Sequence, residues 1–249
     1  MTNRFLAYQI RLSNAFDRWL LPEQYRIDGN RFFLDVFAPR FLKPDTVVYD
    51  VGGGKHPFVS PARKRELGLT IVGLDIDSTE LAQAPPGSYD HVIVSDITRC
   101  TGHEDADLAI CQALLEHVAD VEKAFAAIAS ILKQGGIALI FVPCRNALYA
   151  RLNLLLPERL KRRILFTLFP QSEAGQGFPS YYNRCTPRDF RRLAALHGLE
   201  VQEELFFFMN GYFSFFVPAH ILWRLWLLSF RSLAHEQAAE TFIMALRKR

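Results

Sequence analysis

The chain has 249 residues, half of them hydrophobic and 22% charged, with a formal net charge of +3. That balance permits a large hydrophobic core and excludes a disordered or collagen-like chain. So mild a positive charge, with no broad basic stripe, also argues against nucleic acid as a partner.

The N-terminus alternates Arg4, Arg11 and Arg18 with Phe5, Leu12, Phe16 and Trp19, so no continuous apolar run of a secretory signal is expected. Residues 3–20 read as an amphipathic helix with Phe5, Tyr8, Leu12, Phe16, Trp19 and Leu20 near one face, ended by Pro22. A second helix is predicted from about Asn30 to Leu42, with Phe33, Val36 and Phe37 inward. The pair is expected to pack on a sheet and to cap the substrate side.

Val47, Val48, Tyr49 and Val51 read as a buried strand, and Gly52-Gly53-Gly54 follow at once. Asp50 stands near the strand's C-terminal end, where open parallel sheets bind ligands, and glycines let a ligand approach the backbone. A nucleotide-like cofactor is implied. The nicotinamide fingerprint G-x-G-x-x-G fails, because Pro57 takes the third glycine's place. A short helix over 60–67, stopped by Gly68, leads to a second strand, Thr70 to Asp75. Asp75 closes that strand roughly twenty residues after the glycine loop, where an acid accepts hydrogen bonds from ribose hydroxyls. Asp77 competes with it but is better suited to cap the next helix with Ser78.

Past the turn at Pro85-Pro86-Gly87, Asp90 to Asp96 reads as a third strand ending in a third acid, followed by Ile97. Ala106 to Gln112 is the fourth strand and runs into Glu116-His117-Val118. Asp120 caps a helix carrying Ala124, Phe125, Ile128, Ile131 and Leu132 on one face, and the Gly135-Gly136 turn is expected to end it with a left-handed glycine cap. Ile137 to Pro143 is the fifth strand.

Asp50, Gly52 and Gly54 resemble the acid-x-Gly-x-Gly first motif of class I S-adenosylmethionine-dependent methyltransferases, with His56 where many members place a further glycine. Glu116-His117-Val118 and Leu132-Lys133-Gln134-Gly135-Gly136 resemble the small-molecule members grouped as types eleven and twelve, with Gln134 in place of a proline. The resemblance implies an α/β, Rossmann-like, seven-stranded and mostly parallel sheet with helices on both faces, N-terminal helices and helical insertions. The expected division of a single domain is a helical cap over 1–44, a cofactor-binding core over 45–145, an insertion or lid over 146–185 and completion of the sheet over 186–249. S-adenosyl-L-methionine is the implied cofactor. Asp50, Gly52, Gly53, Gly54, Asp75, Ile76, Asp96, Ile97 and Gln112 are the implied cofactor-binding residues, with Asp96 on the adenine amino group and Ile97 along the base.

His117 is the candidate base for an oxygen acceptor, with a structural histidine as the alternative. His56 is placed to shape the methionine end, and Tyr181 and Tyr182 to line an acceptor pocket. No metal ligands are needed, and the four scattered cysteines, Cys100, Cys111, Cys144 and Cys185, form no C-x-x-C pair. Cys111 and Cys144 lie in apolar runs and read as buried reduced thiols, which fits a cytosolic chain.

Residues 146–180 look inserted, with a basic knot of Arg159, Lys161, Arg162 and Arg163 among leucines. Thr186-Pro187-Arg188-Asp189 opens a helix that Gly198 stops. Leu199 to Phe208 and Glu240 to Leu246 are the last strands. Between them no Asp, Glu, Lys or Arg occurs from Leu205 to Trp223. The helix expected over Val217 to Leu233 is apolar nearly all round, with a thin stripe of His220, Arg224 and Arg231. It either packs inside the fold or lies in a membrane interface or on a partner. The expected location is cytoplasmic, or peripheral at the inner face of the membrane through 154–169 and 205–233. The functional expectation is O-methylation of a small molecule, a glycan or a lipid-linked intermediate. The alternative is a non-catalytic scaffold that uses the apolar C-terminal segment as its partner surface.

Overall fold

The structure, a computed structural model, describes residues 4–157 and 179–249. Its strands are β1 (Val47–Val51), β2 (Thr70–Asp75), β3 (His91–Val94), β4 (Ala106–Gln112), β5 (Leu132–Pro143), β6 (Leu199–Phe207) and β7 (Thr241–Lys248). They form one sheet in the order β3-β2-β1-β4-β5-β7-β6. The pairs from β3 through β5 are parallel, and β7 runs antiparallel to both β5 and β6. The strand order reverses between β1 and β4, so the loops leaving these two strands diverge and open a crevice at their carboxyl ends.

Strand alternation divides the core. Val48 of β1 joins Ile71, Leu108, Ile110, Phe33 and Phe37 on one face of the sheet. Tyr49 and Val51 join Phe125, Ile128, Phe190 and Phe242 on the other. Three helices between the strands begin where the sequence offers a side-chain acceptor. Ser60 caps α3 (Pro61–Leu67), Asp77 caps α4 (Ser78–Ala82) and Asp120 caps α5 (Val121–Ile131), each by accepting backbone N–H bonds in the first turn. Between α1 (Arg4–Leu20) and β1, Asp28 caps α2 (Gly29–Phe32). The chain then continues through a π turn, Phe33–Phe37, and a tighter 3-10 turn, Ala38–Phe41. After α6 (Leu148–Leu155), α7 (Pro187–Leu196) starts on a Thr186 cap: Thr186 Oγ1 accepts from Asp189 N at 3.1 Å and donates to Asp189 Oδ2 at 2.7 Å.

Three expectations need correction. First, the Gly135-Gly136 turn does not cap α5. The chain is already extended at Leu132, and β5 starts there. Gly135 is left-handed (φ +78°), and a Cβ on Gly136 would lie 2.7 Å from the Ala106 carbonyl oxygen. The glycines therefore serve a close strand approach, at the place where the β4–β5 register shifts.

Second, α1 turns its apolar stripe outward. Its buried positions are Ser13 and Asp17, while Phe5, Tyr8, Leu12, Trp19 and Leu20 are exposed. Third, α8 (Val217–Ala234) buries its polar stripe. His220 and Arg224 are 1% exposed, whereas Leu222, Leu225 and Leu233 face out. One cause explains both inversions. Asp17 accepts from His220 Nε2 at 2.8 Å and from Arg224 Nε at 3.0 Å, with a further bond to Arg224 Nη2. Ser13 Oγ donates to the Ser214 carbonyl at 3.1 Å, and Gln9 accepts from Val217 N at 3.0 Å. A buried charged pair stays only where it is satisfied, and satisfying it fixes how both helices are rotated.

On its sheet side α8 buries Trp223 and Leu227, with Trp223 Nε1 donating to Glu240 at 3.0 Å. No helix among the described residues is long and apolar enough to cross a membrane. The basic knot Arg159 to Arg163 lies outside the described residues.

Candidate functional site

A cleft of about 480 Å³ opens at the β1/β4 crevice. Gly52 from the first loop, Asp75 and Ile76 after β2, Asp96 and Ile97 after β3, and Leu114 and His117 after β4 line it. Pro179 and Tyr181 line its other side.

The glycine loop is shaped by two steric demands. Gly52 is left-handed (φ +79°), and a Cβ there would press to 2.8 Å from Leu114 Cδ1. Gly53 has ordinary backbone angles, but a Cβ would meet the Asp50 carboxylate at 2.5 Å. Only glycine lets the chain fold over that carboxylate. Asp50 shares Val48's side of the strand and accepts from Phe58 N at 2.7 Å beneath the loop. It does not reach the cleft. Burial pushes its carboxyl up to about 6, against the hydrogen bonds from Phe58 and Tyr89.

Among the nine residues that the resemblance implies for the cofactor, Gly52, Asp75, Ile76, Asp96 and Ile97 meet at the cleft. Asp50, Gly53, Gly54 and Gln112 do not line it. Gly53 and Gly54 shape the loop from behind, a Cβ on Gly54 lying 3.3 Å from Asp75 Oδ2. Gln112 Nε2 donates instead to Asn30 Oδ1 at 2.8 Å, tying the end of β4 to α2. His56 is exposed and lies outside the cleft.

Asp75 accepts from Asp77 N at 3.0 Å. Burial raises its pKa against that bond and one from Ile76, and the charges of Asp77 and Glu80 add to the rise. Asp96 accepts from Thr98 N at 2.8 Å and Thr98 Oγ1 at 2.9 Å, both on Oδ1, so it caps the 3-10 turn Ile97–Arg99 while facing the cleft. Among the described residues no group of three or more His, Cys, Asp or Glu is arranged to hold a metal ion.

His117 Nδ1 lies 3.0 Å from the Pro179 carbonyl oxygen. A carbonyl only accepts, so Nδ1 is the donor here, which in a neutral ring leaves the lone pair on Nε2. The neighbouring Glu116 was not foreseen as a site residue. Its carbonyl accepts from Tyr181 N at 2.7 Å and Tyr182 N at 3.0 Å, which fastens Tyr181 and Tyr182 to the end of β4. Tyr181 lines the cleft and Tyr182 is buried beside it. The Glu116 side chain is buried, with Oε2 lacking a hydrogen-bond partner among the described residues and Oε1 3.8 Å from His117 Nε2. The signal for it in the sequence was its place in the Glu116-His117-Val118 segment.

Burial pushes the Glu116 carboxyl from 4.5 up to about 8. A carboxyl raised on folding binds its proton more tightly in the native state. Its stabilising contribution is full below about pH 4.5 and is lost as pH rises through about 8. Glu116→Gln is neutral at every pH. It is therefore expected to resist alkaline unfolding better than the parent, by on the order of a few kcal/mol. Thermal unfolding of both proteins across that window checks this, and parallel curves would refute it.

The strand order and the cleft at its switch point define a class I methyltransferase fold. A family model described as a methyltransferase domain matches residues 23–204. The chain belongs to that methyltransferase family, whose class I members use S-adenosylmethionine.

Solved structures agree on the fold. An S-adenosylmethionine-dependent methyltransferase from Mesorhizobium loti superimposes with TM-score 0.57 at 16% identity, covering 89% of this chain and 98% of its own. Geranyl diphosphate C-methyltransferase from Streptomyces coelicolor A3(2), solved with Mg2+, geranyl diphosphate and S-adenosyl-L-homocysteine, gives 0.53 at 14%, covering 86% and 77%. A chain from the complex between the Haloferax volcanii Trm112 methyltransferase activator and a methyltransferase gives 0.57 at 14%, covering 99% and 98%. No curated protein matches the sequence.

Proposed function

We propose that the protein transfers a methyl group from S-adenosylmethionine to an oxygen of a small molecule, a glycan or a lipid-linked intermediate. The observation that carries this reading is the meeting of a Cβ-free bend and two strand-end acids, Asp75 and Asp96, on one cleft at the switch point. The site fits the cofactor. A side chain on Gly52 would fill the cradle, and the cleft volume falls within the range of small-molecule sites.

Bound S-adenosylmethionine supplies a methyl group already activated by its sulfonium. The chain's own residues bind, orient and exclude water. Gly52 admits the cofactor close to the backbone. Asp75 accepts from the ribose hydroxyls, Asp96 accepts from the adenine amino group, and Ile76 and Ile97 provide apolar walls. Leu114, Val118 and Tyr181 close the acceptor side. His117, with its proton held at Nδ1 by Pro179, accepts the acceptor's proton at Nε2.

Calorimetry tests the reading. S-adenosylhomocysteine is expected to bind, and NAD is not. A scaffold that had lost the cofactor would bind neither, and NAD binding alone would favour a dehydrogenase. A screen of candidate acceptors with methyl-labelled cofactor then identifies the acceptor class.

A further inference from the structure

A surface helix of a globular protein ordinarily hides its apolar stripe and shows its polar one. α1 does the reverse. Its inner side carries Gln9, Ser13 and Asp17, all hydrogen-bonded to α8 or to the segment before it. Its outer side carries Arg4, Tyr8, Arg11, Leu12, Arg18 and Trp19, whose positions fall along one stripe of the helix. Tyr8 is 58% exposed and Trp19 83%.

The charge on this stripe has one sign. The sole acid in α1 is Asp17, which is buried and paired inward. Arg4, Arg11 and Arg18 form no ion pair among the described residues. A second copy of the chain would bring arginines against arginines and is disfavoured. A flat, anionic, apolar-cored surface suits the stripe: arginines meet headgroups while tryptophan, tyrosine and leucine enter the acyl boundary.

We infer that the outer face of α1 is a docking surface for an anionic lipid bilayer. This surface is separate from the cleft. The inference is independent of the methyl-transfer reading, since cofactor affinity and vesicle binding are measured apart. The inward clasp keeps α1 lying on α8, so the helix presents its stripe without unfolding.

The test is co-sedimentation of the whole protein with phosphatidylcholine vesicles, with and without phosphatidylglycerol. Binding is expected only to the anionic vesicles and is expected to weaken with added salt. Bound Trp19 should blue-shift the tryptophan emission, a shift that Trp19→Ser abolishes. The triple variant Arg4→Gln, Arg11→Gln, Arg18→Gln alters only solvent-facing side chains. It is expected to keep the parent's melting temperature and to lose roughly a hundred-fold in partitioning. Three results would overturn the inference. The parent could ignore anionic vesicles, or the triple variant could bind them as well as the parent does. Light scattering could instead show that the stripe drives self-association or capture of an acidic protein with no vesicle binding.

Discussion

Asp17→Ala is expected to lower the unfolding free energy by about 3–5 kcal/mol, the usual cost of removing one partner from a buried ion pair. Among the described residues, Arg224 would keep only the Phe208 carbonyl at 2.8 Å and the face of Trp223 at 4.1 Å for a guanidinium that is 1% exposed. His220 would lose its acceptor as well, and its Nδ1 has no partner among the described residues. Against a typical total of about 5–15 kcal/mol, such a loss takes a large share of the protein's stability.

Urea denaturation measures this effect directly. The double variant Asp17→Ala, Arg224→Met should recover much of the loss, because it removes the stranded charge together with its partner. A cost below about 1 kcal/mol for Asp17→Ala would mean that the clasp does not hold the two helices. The pair also predicts acid sensitivity. Burial raises the Asp17 pKa, but the hydrogen bonds and charges of His220 and Arg224 outweigh burial and hold the carboxyl below its ordinary 3.8. Its contribution is therefore present above about pH 4 and is lost as pH falls through the lowered value.

Asp75→Ala is expected to weaken S-adenosylhomocysteine binding by roughly 10- to 100-fold, since hydrogen bonds to a charged acceptor contribute about 1.5–3 kcal/mol. Asp75 lines the cleft at the end of β2, with Gly54 against its other oxygen. Asp77→Ala is the matched comparison. Asp77 caps α4 through Thr79 N and Glu80 N and does not line the cleft. That variant should lose about 1 kcal/mol of stability and leave cofactor affinity nearly unchanged. Calorimetry on the two variants separates the roles, and an Asp75→Ala protein with the parent's affinity would refute the ribose assignment.

Much of the cleft was legible because its signals are local. A strand-end acid, a run of glycines and a capping aspartate owe their behaviour to residues within a few positions. Asp75, Asp96 and Gly52 line one cleft at the strand ends. Asp50 stands outside the cleft lining for a reason that strand alternation gives. Alternation sends it to the same side as Val48, where the turn brings Phe58 N back to meet it. Gln112 is drawn to Asn30, a partner 82 residues earlier in the chain that no local signal announces.

By itself, then, the sequence determined the strands, their acids and the glycine bend, because hydrophobic period and turn chemistry act over short distances. Only the tertiary structure decided which way α1 and α8 face. Their hydrophobic patterns favour burying the leucines and aromatics. The Asp17–His220–Arg224 cluster, joining residues more than 200 positions apart, instead turns the polar sides inward. A pattern read along one helix cannot register a partner that exists only after the chain has folded.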